Sequence, residues 1–350
     1  MNPLELHNES WSRLNARRVR LPHAMLFVGQ KSIGKRALAQ AFAESLLCEQ
    51  PRSDQTACST CPSCLWLSQG NHPDFRLIQP EALAEGDEPG EGEGKADSKK
   101  KPSQQITIDQ IRVLDDFLHV GTHRHGLRVI LIHPAEAMNR STANSLLKSL
   151  EEPAPSTLFI LVTNESDRLL PTIRSRCQVF NVPSPSPEAA AAWLNKNKVA
   201  DAAQWLALSG GAPLLAYDLA MSDEGALLDG LFNELAQGPR LNPLQAAAAI
   251  DRLIKSDKRT APLKRTVEWV QKWLVDLALV CNGCTPRFFI HRADSLNRQA
   301  TATDSARVLA FARKALQYRG QCDQPLNSRL FLEELFLGFV TLFRSDARRP

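Results

Sequence analysis

Apolar positions fall into two regimes along the 350 residues. In the first half, three short continuous runs predict strands buried on both faces: Ala24-Met25-Leu26-Phe27-Val28, Val129-Ile130-Leu131-Ile132 and Leu158-Phe159-Ile160-Leu161-Val162. Around them, residues 36–48, 109–120 and 141–150 repeat apolar side chains at helical spacing. Strands alternating with helices predict an α/β domain built on a parallel sheet. Beyond Pro183, Pro185 and Pro187 the pattern is helical only, with helices predicted at 188–195, 202–208 and 214–220 and longer ones following. A domain boundary is therefore expected near residue 183.

One stretch fits neither regime. Residues 81–102 interleave seven acidic side chains and four lysines with Gly and Pro. Such a composition buries too little apolar surface to offset the entropy of ordering, so an acidic, disordered surface insert is expected there. Because acids outnumber lysines in this segment, the rest of the chain is more basic than the overall balance of 42 Lys plus Arg against 38 Asp plus Glu.

Composition removes several classes. A hydrophobic content of 43% with 6% aromatics describes a globular protein rather than a fibrous or disordered one. The first nine residues include Asn2, Glu5, His7, Asn8 and Glu9 and make no signal sequence; no later apolar run approaches the roughly 20 residues that span a bilayer. A cytoplasmic protein with no membrane partner is expected. The eight cysteines are too sparse for a secreted disulfide scaffold. Few aromatics and a moderate charge also argue against a self-sufficient single-strand binder, which needs stacking platforms on a basic groove.

The segment Gly29-Gln30-Lys31-Ser32-Ile33-Gly34-Lys35-Arg36 follows the first predicted strand and opens a helix, the context of a phosphate-binding loop. Gly29, Gly34 and Lys35 would cradle a nucleotide; a simple glycine-containing turn is the other reading. Arg36 stands where a Ser or Thr hydroxyl should hold Mg²⁺. The strand at 129–132 continues into His133-Pro134-Ala135-Glu136, without the acidic pair that holds Mg²⁺ and orients water in an ATPase of this type. An ATPase fold without ATPase chemistry is expected.

Cys48, Cys58, Cys61 and Cys64 place four thiols within 17 residues, two of the steps being C-x2-C. That spacing predicts a closed, structural Zn²⁺ site, against the alternative of buried or redox thiols. Cys281 and Cys284 form an isolated C-x2-C, and His119, His123, His125 and His133 lack matching carboxylates; all are expected to be ordinary structural or surface residues. Arg176, in Ser175-Arg176-Cys177, follows the third predicted strand by a short helical stretch. It reads either as a local salt bridge or as an arginine offered to the ATP site of a neighbouring chain.

Taken together, the chain resembles the AAA+ clamp-loader subunits of bacterial DNA polymerase III. The resembling residues are Leu21-Pro22-His23-Ala24, the degenerate phosphate loop, the four-cysteine insertion, Ser145-Leu146-Leu147-Lys148-Ser149-Leu150-Glu151-Glu152-Pro153 and Ser175-Arg176-Cys177. The resemblance implies an AAA+ P-loop-type parallel-sheet domain with its zinc module (1–182), a small helical lid (183–222) and an all-α collar (223–350). It also implies a non-catalytic stator in a five-membered ring with gamma/tau and delta subunits, loading a sliding clamp onto primer-template DNA within the polymerase holoenzyme. ATP would not be hydrolysed here. Arg176 would instead reach the ATP of an adjacent gamma/tau subunit. An ATP-hydrolysing gamma/tau-like motor is the alternative, opposed by Arg36, by His133 and by Leu214, which stands where active relatives carry a lid arginine. In the same resemblance Asp109 caps a helix whose first turn carries Arg112 toward template phosphate, an ordinary surface position being the other reading.

Overall fold

The computed structural model describes residues 3–84, 102–119, 126–222, 225–256, 262–322 and 327–344. The chain divides into two compact units, Met1–Ser186 and Pro187–Pro350. The division falls just beyond the start of the proline linker read at residue 183.

In the first unit five parallel strands, β1 (Ala24–Val28), β2 (Phe75–Ile78), β3 (Arg128–Ile132), β4 (Thr157–Thr163) and β5 (Gln178–Asn181), lie in the order β2-β3-β4-β1-β5. The helices are α1 (Asn8–Ala16), α2 (Lys35–Leu47), α3 (Pro62–Ser68), α4 (Glu81–Ala84), α5 (Ile108–His119), α6 (Arg140–Glu151) and α7 (Pro171–Arg174). Strands β3 and β4 are buried along their whole length and β1 along all but its last residue, which explains their uninterrupted apolar runs. The two strands absent from the sequence reading are the edges. β2 carries Arg76 between apolar residues, and β5 exposes three of its four side chains, so neither makes a continuous run.

The acidic insert needs a correction at its start. Glu81–Ala84 is a helical turn, tied to the returning chain by Ala82 N–H donating to Ser103 O (3.1 Å) and Ser103 N–H donating to the Glu81 carboxylate (3.1 Å). These hydrogen bonds close the base of the excursion; residues 85–101 lie outside the described residues.

The second unit holds, among its described residues, α8 (Pro187–Lys196), α9 (Ala202–Leu208), α10 (Pro213–Met221), α11 (Gly225–Leu235), α12 (Pro243–Ser256), α13 (Pro262–Cys281), α14 (Ala293–Ala300), α15 (Ser305–Gln321) and α16 (Ser328–Thr341). Its core gathers Trp269, Trp273, Phe336 and Phe339, all buried. The indole of Trp273 donates to Gln299 Oε1 (3.1 Å), whose amide donates to Leu235 O (2.7 Å), so these three buried polar groups are paired. The buried Asp276 carboxylate accepts from the backbone N–H groups of Arg287, Phe288 and Phe289 at 2.7–2.9 Å and fixes the chain entering α14.

Candidate functional site: a phosphate loop and a cysteine cluster at the two ends of one helix

Helix α2 begins in the phosphate loop and ends at the cysteine cluster. At its start, Gly34 adopts φ +100°, a conformation that a side chain disfavours, and its carbonyl accepts the first helical hydrogen bond from Leu38. Gly29 is required for a different reason: a Cβ there would stand 2.5 Å from Val182 O. Lys35 is buried, 3% exposed. Its ammonium donates to Gln30 O of the loop itself (2.5 Å) and to Asn164 Oδ1 just past β4 (2.9 Å). Asn164 in turn donates through its side-chain amide (2.9 Å) and its backbone N–H (3.1 Å) to Glu136. Burial lowers the Lys35 ammonium to about 8, with Glu136 acting in the opposite direction. His133 is pushed down to about 4 by burial and then by the Arg36 cation, so this position is a neutral imidazole near neutral pH.

The sequence thus located the loop but not its internal partners. Glu136 stands beyond His133-Pro134, yet the turn at Ala135–Ala137 returns it to the strand tips, where it meets Asn164. No local motif marks Asn164. Only the order of the strands brings it to Lys35, across 129 positions of sequence.

At the other end of α2, the Sγ atoms of Cys48, Cys58, Cys61 and Cys64 all lie within 4.8 Å of one another. Cys48 and Cys61 are 3.9 Å apart and Cys58 and Cys64 3.8 Å. These separations exclude disulfides, whose sulfurs sit about 2.05 Å apart. They match the edges of a tetrathiolate tetrahedron, which a metal–sulfur bond of about 2.3 Å sets near 3.8 Å. Backbone N–H groups point at the sulfurs: Cys58 to Cys48 (3.2 Å), Cys61 to Cys58 (3.3 Å) and Cys64 to Cys61 (3.4 Å). Hydrogen bonds from Thr60 draw the Cys58 thiol down to about 5, whereas burial raises those of Cys48 and Cys64. The donor set fits a metal held by thiolates.

Cys281, half-buried at the end of α13, and exposed Cys284 join no such group among the described residues. His123 and His125 lie outside the described residues, as does the side chain of His119.

Arg176 sits between α7 and β5. Its guanidinium meets the Glu151 carboxylate at 2.6 Å and donates to Thr172 O (3.0 Å), with about a third of the side chain exposed. The next residue, Cys177, is buried, and burial pushes its thiol up to about 12. The local salt bridge is therefore present, and it leaves the arginine at the surface.

Arg112 projects from the first turns of α5 and is exposed, 3.4 Å from Asp109. Here the expected cap is corrected. The helix starts at Ile108, so Thr107 occupies the cap position and Gln110 reaches back to the Thr107 N–H (2.9 Å). This is the reciprocal half of a capping box, and Asp109 lies inside the first turn.

A glycine loop leaving β1, an interior strand of a five-stranded parallel sheet and the neighbour of β4, with a buried lysine at the start of the following helix and an amide at the tip of β4, defines a P-loop domain of AAA+ type. Residues 8–186 match the family described as DNA polymerase III, delta subunit. A relative from Pseudomonas aeruginosa, DNA polymerase III subunit delta', is 33% identical over 89% of this chain and 82% of its own length. The Escherichia coli protein of the same name is 30% identical over 61% of this chain and 59% of its own. Among solved structures, a gamma subunit-related protein of DNA polymerase III from Thermotoga maritima is 19% identical, with a TM-score of 0.46 over 96% of this chain and 99% of that one. The chain belongs to the delta' family of DNA polymerase III subunits. No described helix is long and apolar enough to cross a membrane.

Proposed function

We propose that this chain is the stator of a cytoplasmic clamp loader. It takes a place in a ring with gamma/tau and delta subunits, helps load the sliding clamp onto primer-template DNA, and gives Arg176 to the ATP site of a neighbouring gamma/tau subunit. The observation that carries the proposal is the placement of Arg176. A guanidinium held at the surface by Glu151 and Thr172 O is oriented without being consumed, because an ion pair this exposed contributes about 1 kcal/mol or less and yields to a phosphate. A planar fork of fixed donors suits the charge that develops on a transferring γ-phosphoryl group.

The chain's own loop supports the complementary half of this reading. Lys35 has partners within the protein, and Arg36 and neutral His133 stand where an ATPase places its metal ligands. Chemistry therefore belongs to the neighbour. Four thiolates would close the coordination shell of one Zn²⁺, which supplies a cross-link rather than a reaction. Arg112, exposed on α5, would meet template phosphate irrespective of base sequence.

The test is a loader reconstituted from this chain with gamma/tau and delta, comparing wild type with Arg176→Ala. Assembly should be normal, while hydrolysis at the one site that receives the arginine falls by a factor of about 10³ or more. An unchanged DNA-stimulated rate removes Arg176 from the mechanism.

A further inference from the structure

We infer that Ser63 and His72 are positioning residues for the cysteine site, forming a directional hydrogen-bond relay that sets the distance between its two halves; the inference rests on the zinc reading above. Three ligands, Cys58, Cys61 and Cys64, lie in one short segment and organise one another through N–H···S bonds. The fourth, Cys48, arrives from the end of α2, and its placement depends on what holds that helix end to α3.

Ser63 supplies this hold. It precedes Cys64, is fully buried, and its hydroxyl donates to Leu47 O at 2.6 Å, the carbonyl just before Cys48. One side-chain-to-backbone hydrogen bond therefore joins the residues that precede two ligands, Cys64 and Cys48, across 16 positions of sequence. Arg18 makes a second tie on another side of the module, donating to Ser45 Oγ and to Gln55 O.

The direction of the Ser63 bond is set from behind. Buried His72 lies 2.8 Å from Ser63 Oγ through Nε2, and its Nδ1 accepts the Asp74 N–H at 3.0 Å. With Nδ1 an acceptor, the imidazole proton resides on Nε2 and is donated to Ser63 Oγ. The hydroxyl has one proton, which then goes to Leu47 O. Asp74 N–H, His72, Ser63 and Leu47 O form a chain in which every donor and acceptor has its role, ending on the peptide that presents Cys48. Both nitrogens of His72 are occupied, so the ring acts through Ser63 and not as a ligand. Trp66 packs against it in an edge-type arrangement, with ring centroids 6.1 Å apart.

Zinc affinity of the full chain, measured by competition with a chromophoric chelator, and the absorption of the Co²⁺-substituted protein test the inference. Loss of outer-shell partners typically weakens metal binding about 10–100-fold, and Ser63→Ala and His72→Leu should fall in that range with altered cobalt d–d bands. His72→Gln, whose amide NH₂ can take the place of Nε2–H, should recover most of the affinity and the wild-type spectrum. Wild-type affinity and spectrum in both Ser63→Ala and His72→Leu would overturn the inference, as would His72→Gln binding as weakly as His72→Leu. Should Ser63→Ala fail to fold, the two His72 variants decide. Wild-type protein without stoichiometric zinc would remove the zinc reading itself; stoichiometric zinc with unaffected variants would remove the relay alone.

Discussion

The two ends of helix α2 carry the two motifs most readily seen in the sequence, and they turn out differently. At the N-terminal end, a glycine loop of phosphate-binding form closes on itself: Lys35 is held by Gln30 O and Asn164, and Asn164 by Glu136. At the C-terminal end, four cysteines converge to tetrahedral spacing with backbone N–H groups directed at their sulfurs. A motif fixes which groups are near one another. Their chemistry depends on whether those groups are satisfied by the protein or arranged around a common point.

The largest expected effect breaks the second site. Wild-type protein should carry about one Zn²⁺ per chain, and Cys61→Ser should lose nearly all of it by metal analysis. Full metal content in that variant would reject the ligand set.

A smaller effect isolates the first site. Asn164→Ala leaves the Lys35 ammonium and the Glu136 carboxylate each short of a partner, so urea unfolding should show a destabilisation of about 1–3 kcal/mol with zinc content unchanged. Altered zinc content would mean that the two ends of α2 are coupled rather than independent.

An effect confined to acid, and absent at neutral pH, is a pH dependence at His133. Its folded pKa of about 4 lies below the ordinary value of 6.5, so the unfolded chain binds the proton first. Stability should therefore be fully present above about pH 6.5 and decline as pH falls toward 4, by on the order of 3 kcal/mol. His133→Asn should remove that part of the pH profile. A variant with the same profile would assign the acid sensitivity elsewhere.

Legibility followed the range of the interactions. Central strands β1, β3 and β4 are continuous apolar runs because both faces are covered, whereas edge strands β2 and β5 mix Arg76, Gln178 and Asn181 with apolar residues and leave no such signal. The cysteine ligands were readable from spacing because three of them are local. Ser63 and His72 were not, since a serine and a histidine nine positions apart gain meaning only when the turn after α3 brings them to 2.8 Å. Asp109 is the stronger cap candidate by residue type, yet Thr107 holds the position because Gln110 three residues on completes the capping-box pattern. In sequence Glu151 is only one position of a family run, and its role as the partner of Arg176 depends on the packing of α6 beside α7.

The central claim is that this AAA+ domain performs no nucleotide chemistry of its own and acts on a neighbour's. ATP turnover by the purified chain alone, with Mg²⁺ and primed DNA, tests it most directly. The expected result is a rate indistinguishable from that without protein; turnover that disappears in Lys35→Ala would contradict the claim and return the chain to the motor class.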